Sequence, residues 1–281
     1  YLAKFENAIA KYTNRKFAIA VGSGTDALYF ALKAKGIGHG DVVLCPAVSY
    51  MATAEAIKRT GATIQFVDVN HKGLINQLSG FGLPKALVYV NLFGNVADYE
   101  NLQKYCDDRR IPLVEDAAQS LGSFYRNIPS GKLGNISSLS FAPSKPLPCF
   151  GNGGMVLTDD ENERDFIRSI RYHATGTAKL DYGYNSCLPN DHANILNFLL
   201  SKYKSLLSKT QKVRNWYDEK LNNLGISSIK TDSNTTSNNH KLVIKVNDRD
   251  NLKNFLESKN IQTQIHYPLP MSKMIMFSNE Q

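Results

Sequence analysis

The sequence predicts an α/β fold: a mostly parallel seven-stranded sheet in a large domain, followed by a small C-terminal α+β domain. Three observations predict it. Up to about residue 171, short apolar runs alternate with helical patterns, and several runs are almost continuously apolar, as strands covered on both faces must be. From Asp191 to Leu221 there is neither Gly nor Pro, so one long helix is expected. Beyond a polar Asn/Ser/Thr tract at 231–239 lies a short strand–helix–strand pattern. The domain boundaries expected from this are 1–175 and 176–281.

In chain order, the apolar runs predict strands over 17–21, 42–45, 63–68, 86–90, 113–115, 138–141 and 155–158. Helical periodicity predicts helices over 26–34, 53–59, 98–107 and 161–172, and the opening residues already carry a helical pattern. In the long helix, Ile195, Leu199, Leu206, Val213, Trp216 and Tyr217 recur at roughly helical spacing and read as its packing face. The last segment predicts a strand at 240–246, a helix at 248–259 and a strand at 262–267.

Composition narrows the function classes. Hydrophobic residues make up 42% and charged residues 21% of the 281, which is ordinary for a folded globular chain. Thirty-three Lys and Arg against 25 Asp and Glu leave a formal charge of +8, but the basic residues are scattered. Nucleic-acid binding is therefore not expected, whereas a phosphorylated cofactor or nucleotide diphosphate suits the balance. Cys45, Cys106, Cys149 and Cys187 are far apart, with no CxxC pair, so neither a disulfide framework nor a metal site is expected and a reducing cytoplasm is. No apolar run reaches the roughly 18 residues of a membrane span.

Three motifs carry chemistry. Gly22-Ser23-Gly24-Thr25-Asp26-Ala27 follows a strand and opens a helix, where free N–H groups and the helix dipole can hold a phosphate. It also satisfies the GxGxxG/A pattern of dinucleotide enzymes, yet Asp41 precedes the second strand instead of ending it, the wrong place to grip a ribose. A purely structural glycine turn stays open at this point. Pro112-Leu113-Val114-Glu115-Asp116 is an apolar strand ending in an acid, placed either to pair with a protonated pyridine nitrogen or to cap the next helix. Ser140-Phe141-Ala142-Pro143-Ser144-Lys145 runs from a strand into a loop ending in a lysine, the side chain that can form a Schiff base with an aldehyde.

Together with Gly36-Ile37-Gly38-His39-Gly40-Asp41, Glu115-Asp116-Ala117-Ala118-Gln119, Gly151-Asn152-Gly153-Gly154, Gly183-Tyr184-Asn185 and His266-Tyr267-Pro268, these motifs give the sequence its family likeness. It resembles the DegT/DnrJ/EryC1/StrS sugar aminotransferases, pyridoxal-phosphate (PLP) enzymes of the type I, aspartate aminotransferase-like fold. The resemblance implies that Lys145 forms the Schiff base and shuttles a proton, and that Asp116 binds the pyridine nitrogen. Gln119 would approach the ring hydroxyl, and Tyr50 would stack on the ring. Gly24, Thr25, Asp26 and Ser140 would hold the phosphate. Asn185 would reach across a homodimer interface to the neighbour's phosphate, and His266 and Tyr267 would stand at the substrate mouth.

The implied reaction moves an amino group from an amino acid, glutamate, to a nucleotide-linked 3- or 4-keto-6-deoxy sugar, the cofactor alternating with its pyridoxamine form. Asn152 stands where the family often has an acid, and Cys187 where it often has Arg, so substrate recognition is expected to differ. The short 68–84 connection and the stop soon after Pro268 suggest missing segments of a longer product. A sugar dehydratase, an aminotransferase acting on a cyclitol, and a non-catalytic nucleotide-binding module are the alternatives. Dehydratases of the family carry His where Lys145 stands.

Overall fold

The computed structural model describes residues 1–75, 77–175 and 182–278. Helix α1 (Leu2–Tyr12) leads into β1 (Phe17–Val21), α2 (Gly24–Ala34), β2 (Val42–Pro46), α3 (Ala52–Arg59) and β3 (Thr63–Val67). Then come β4 (Ala86–Val90), α4 (Tyr99–Arg109), β5 (Leu113–Asp116), the short strands β6 (Phe124–Tyr125) and β7 (Ile128–Pro129), β8 (Ile136–Ser140), β9 (Gly154–Thr158) and α5 (Glu161–Ile170). Helix α6 (Asn190–Asn223), strand β10 (Thr235–Thr236) and helix α7 (Arg249–Ser258) complete the regular elements.

The expected seven-stranded sheet forms in the order β1-β9-β8-β5-β4-β2-β3. Pairing is parallel throughout except at β9, which runs antiparallel to both β1 and β8. Alternation along each strand sends side chains into two cores. Ile19, Val21, Val43, Val88, Val114 and Val156 pack with α2, α3 and α5 on one face. Ala18, Ala20, Leu139, Met155 and Leu157 pack with α1 and α6 on the other. Each large aliphatic buried this way contributes about 1.5–3 kcal/mol, which is why the sheet is rigid enough to hold a site at its edge. No described helix is long and apolar enough to cross a membrane.

Strand β5 shows the alternation most sharply. Glu115 is fully buried and its carboxylate accepts from Asn91 Nδ2 (2.9 Å), Ser130 Oγ (2.7 Å), Ser137 Oγ (2.8 Å) and the amides of Gly131 and Leu133 (3.0 Å each). Burial alone pushes its pKa up, and these donors oppose the shift. Asp116, the next residue, points to the opposite side of the sheet.

Three expectations are corrected. The strands at 240–246 and 262–267 do not form, although the helix between them does. A strand needs a neighbour to close its ladder, and here 240–246 finds a single bridge, Ser228 to Ile244, with Ile229 N–H donating to Val243 O at 2.8 Å. The packing face of α6 is Ala193, Leu196, Leu199, Leu200, Tyr203 and Leu207, so Leu199 of the expected stripe packs there, while Val213 and Trp216 are more than half exposed. Apolar residues occur all round this helix, so two stripes competed, and the docking of its first half on α1 selects one. The three-stranded sheet β10-β6-β7 was not expected, because two-residue strands leave no periodicity to read. Smaller shifts end β3 at Val67 and β8 at Ser140.

We propose a domain division at residue 175. Met271 and Phe277 lie beyond it yet are fully buried in the core above α2 and α3, and Met271 N–H donates to Ala47 O at 2.7 Å.

Candidate active site

The carboxyl ends of β4, β5 and β8 and the start of α2 converge on a cavity of about 210 Å³. This edge is where open parallel sheets place ligands, since the strand ends leave their loops free to supply side chains. Two elements meet here at unusually close range. A Cβ added at Gly24 would fall 2.6 Å from Ser140 Cβ and 2.8 Å from Ser140 Oγ, so only glycine lets the α2 turn touch the end of β8. That contact brings the amides of Gly24 and Thr25 and the hydroxyl of Ser140 to one corner of the cavity. As the first residues of α2, Gly24 and Thr25 have no intrahelical acceptor for their N–H groups.

Asp26 is corrected. Its amide is taken by the N-cap, donating to Ser23 Oγ at 3.0 Å, and its carboxylate accepts from Arg59 Nη1 (3.0 Å) and Ser186 Oγ (2.7 Å). It braces the turn from outside and does not line the cavity. The capping residue is Ser23, which is extended (φ −157°) and was not named as a site residue.

Asp116 lines the opposite wall and is 7% exposed. Its Oδ2 accepts from Thr53 Oγ1 at 2.9 Å and its Oδ1 from the Ala118 amide at 3.1 Å. Burial raises its pKa, offset by those two donors and then by Lys145. No described cation lies within ion-pair distance of it. A buried carboxylate so placed is stabilised by a cationic N–H brought in by a ligand.

Lys145 enters the same cavity from the loop after β8, anchored by its own amide donating to Ala142 O at 2.9 Å. Its pKa is lowered, first by burial, with Lys241 acting in the same direction and Asp116 opposing. Its Nζ lies 5.9 Å from the centre of the Tyr50 ring, and Tyr50, itself 52% exposed, forms the outer wall. Gln119 is fixed at both ends: Oε1 accepts from the Phe93 amide (2.8 Å) and Nε2 donates to the Tyr267 hydroxyl (3.1 Å).

The structure therefore brings Gly24, Thr25, Tyr50, Asp116, Gln119, Ser140 and Lys145 together. Tyr267 touches this group through Gln119, while His266 lines a separate cavity next to it. Asn185 is exposed and absent from the cavity wall. Thr53 and Ser49 were not foreseen. Nothing in the sequence ties Thr53 to Asp116, and only the fold, which brings the start of α3 to the end of β5, makes Thr53 its donor, with Ser49 Oγ 2.9 Å behind.

Valine at position 53 keeps the volume and removes the donor, leaving one buried carboxylate lone pair unmet. Thr53→Val is expected to lower kcat on the order of tenfold and to shift the pH dependence of the bound cofactor's absorbance. Steady-state kinetics and a spectrophotometric titration check it, with an unchanged titration counting against a role for Thr53.

The donor set fits pyridoxal phosphate: an amine, a carboxylate without a cation, an aromatic wall and a cradle of amides and a hydroxyl. Comparison with known proteins decides the matter. The sequence model of the DegT/DnrJ/EryC1/StrS aminotransferase family matches residues 1–281. The chain belongs to this family. Among curated members, the UDP-2-acetamido-2-deoxy-3-oxo-D-glucuronate aminotransferase of Pseudomonas aeruginosa is 32% identical over 287 residues, covering 100% of this chain and 80% of that protein. The dTDP-3-amino-3,4,6-trideoxy-alpha-D-glucose transaminase of Streptomyces venezuelae is 32% identical, covering 99% of this chain and 76% of that one.

Among solved DegT/DnrJ/EryC1/StrS structures, DesV of S. venezuelae, in complex with a ketimine intermediate, superposes with a TM-score of 0.94 at 32% identity. It is matched over 99% of this chain and 77% of that chain. A family aminotransferase from Brucella abortus gives 0.93 at 31%, over 99% and 78%. This DegT/DnrJ/EryC1/StrS chain is thus a PLP-dependent aminotransferase with the type I fold expected from its motifs.

Proposed function

We propose that the chain transfers an amino group from an amino acid, glutamate, to a nucleotide-linked 3- or 4-keto-6-deoxy sugar. One observation carries this reading: Lys145 and Asp116 line a single cavity from different strand ends, with no ion pair joining them. Names of similar proteins support it, since they act on UDP- and dTDP-linked sugars and, in Escherichia coli, make GDP-perosamine.

Pyridoxal phosphate, when bound, supplies an electrophilic aldehyde and an electron sink. Lys145 Nζ, kept below the ordinary lysine pKa by burial, would spend more time as a free amine and so could move a proton between the nitrogen-bearing carbon of the substrate and the aldehyde carbon of the cofactor. The Asp116 carboxylate would hold the protonated ring nitrogen, and Thr53 Oγ1 donates to Asp116. Gly24, Thr25 and Ser140 would hold the phosphate, and Tyr50 would lie against the ring. Asn185, exposed and outside its own cavity, is suited to complete the neighbour's site in a homodimer.

The test is to incubate the cofactor-loaded protein with glutamate and a panel of UDP-, dTDP- and GDP-linked keto sugars, with products read by mass spectrometry. An amino sugar nucleotide from at least one member is expected. A deoxy-keto product without nitrogen would instead favour the dehydratase reading.

A further inference from the structure

Next to the cofactor cavity lies a larger one of about 830 Å³, and the wall between them is a single braced unit. Phe93, whose left-handed backbone (φ 62°) turns its amide inward, donates that amide to Gln119 Oε1. Gln119 Nε2 holds the Tyr267 hydroxyl, and Tyr267 stacks on the Phe93 ring at 6.3 Å with 17° between planes. His266 meets the same ring edge-on at 6.4 Å. The Phe93 carbonyl then accepts from the Lys241 amide at 3.3 Å. Lys241, His266 and Tyr267 thus line one end of the larger cavity, directly across this wall from Gln119.

These positions gather positive charge without a counter-ion. No described carboxylate lies within ion-pair distance of Lys241, although fourteen pairs elsewhere among the described residues show that this basic chain forms them readily. The groups acting on one another here are Lys241, Lys145, His240 and His266, and among the described acids only Asp116 acts on this cluster, through Lys145. Burial and then Lys241 push both histidines toward the neutral form, His240 to about 3. Lys241 thus faces this half-buried cavity without a counter-ion, which an entering anion would supply.

We propose that Lys241 is a substrate-binding residue whose ammonium reads an oxyanion, carboxylate or phosphate, of the molecule that reacts at Lys145. The proposal rests on the aminotransferase reading above and adds to it a named cationic contact. Two sources share that chemistry: the carboxylate of the amino-acid donor and the diphosphate of the sugar nucleotide. Lys241 was invisible in the sequence, where a single lysine in an expected strand reads as a solvated charge.

The first experiment needs no turnover. Inorganic phosphate is titrated into the cofactor-loaded protein, whose own phosphate cradle is already filled, and binding is followed by calorimetry. In Lys241→Met and Lys241→Gln, affinity for phosphate is expected to fall about tenfold or more, and in Lys241→Arg to be largely kept. Cofactor absorbance retained in each variant reports an intact fold.

The two half-reactions are then measured separately. A tenfold rise in KM for glutamate alone assigns the carboxylate, and the same rise for the sugar nucleotide alone assigns the diphosphate, with kcat changed no more than about threefold in either case. Phosphate affinity and both KM values unchanged in the neutral variants would overturn the proposal. Absence of transamination in the parent protein would instead defeat the function reading, while the phosphate titration still decides the role of Lys241.

Discussion

Replacing Lys145 by alanine is expected to remove the near-visible absorbance of covalently anchored cofactor and to lower turnover by on the order of 10³-fold or more. The argument is one of chemistry and of position. Only an unprotonated amine can be captured by an aldehyde, and among the described lysines only Lys145 lines the cofactor cavity. The other amine acting on it, Lys241, is held across the Phe93 wall by its own backbone. Lys145→Arg keeps the charge but not the nucleophile and should fail as completely, which separates covalent chemistry from simple electrostatics.

The sign of the pH effect follows. Because the pKa of Lys145 is lowered from 10.5, covalent capture of added cofactor by the empty protein should rise with pH and level off below the pH an ordinary lysine requires. Stopped-flow absorbance measures it, and a rate still climbing above pH 10.5 would contradict the burial of this amine.

Asp116→Asn is expected to lower kcat by about 10²–10³-fold while the cofactor remains bound through Lys145 and the phosphate cradle. An amide of the same shape cannot keep the ring nitrogen protonated, so the electron sink weakens although nothing is displaced. The buried carboxylate is also expensive to keep in the empty protein, since burial raises its pKa. The substitution should therefore cost little or no stability before cofactor is added, and thermal unfolding with and without cofactor reports both halves of the claim. Retained turnover would detach Asp116 from the chemistry.

Much of the fold was legible because strands covered on both faces must be apolar along their length. The runs at 17–21 and 86–90 could hardly have been anything else. The site was legible where chemistry demands a residue type at a strand end, as with Asp116 and Lys145. It was not legible where a role depends on a neighbour distant in sequence. Thr53 matters because the start of α3 reaches the end of β5, and Lys241 because Phe93 turns back toward it. Asp26 misled because its motif position is right while its amide is already consumed by Ser23. The missing strands at 240–246 and 262–267 show the limit of pattern: alternation proposes a strand, but a partner has to accept it.

Two adjacent acids on β5 set a strict tolerance for the whole enzyme. Glu115 is locked in a nest of five donor groups under the sheet, and Asp116 serves the reaction above it. Inserting or deleting one residue just before this strand would exchange their faces, thrusting the catalytic acid into the nest and its neighbour into the reaction chamber. Length changes in the turn at Pro112 should be far more damaging than most substitutions there.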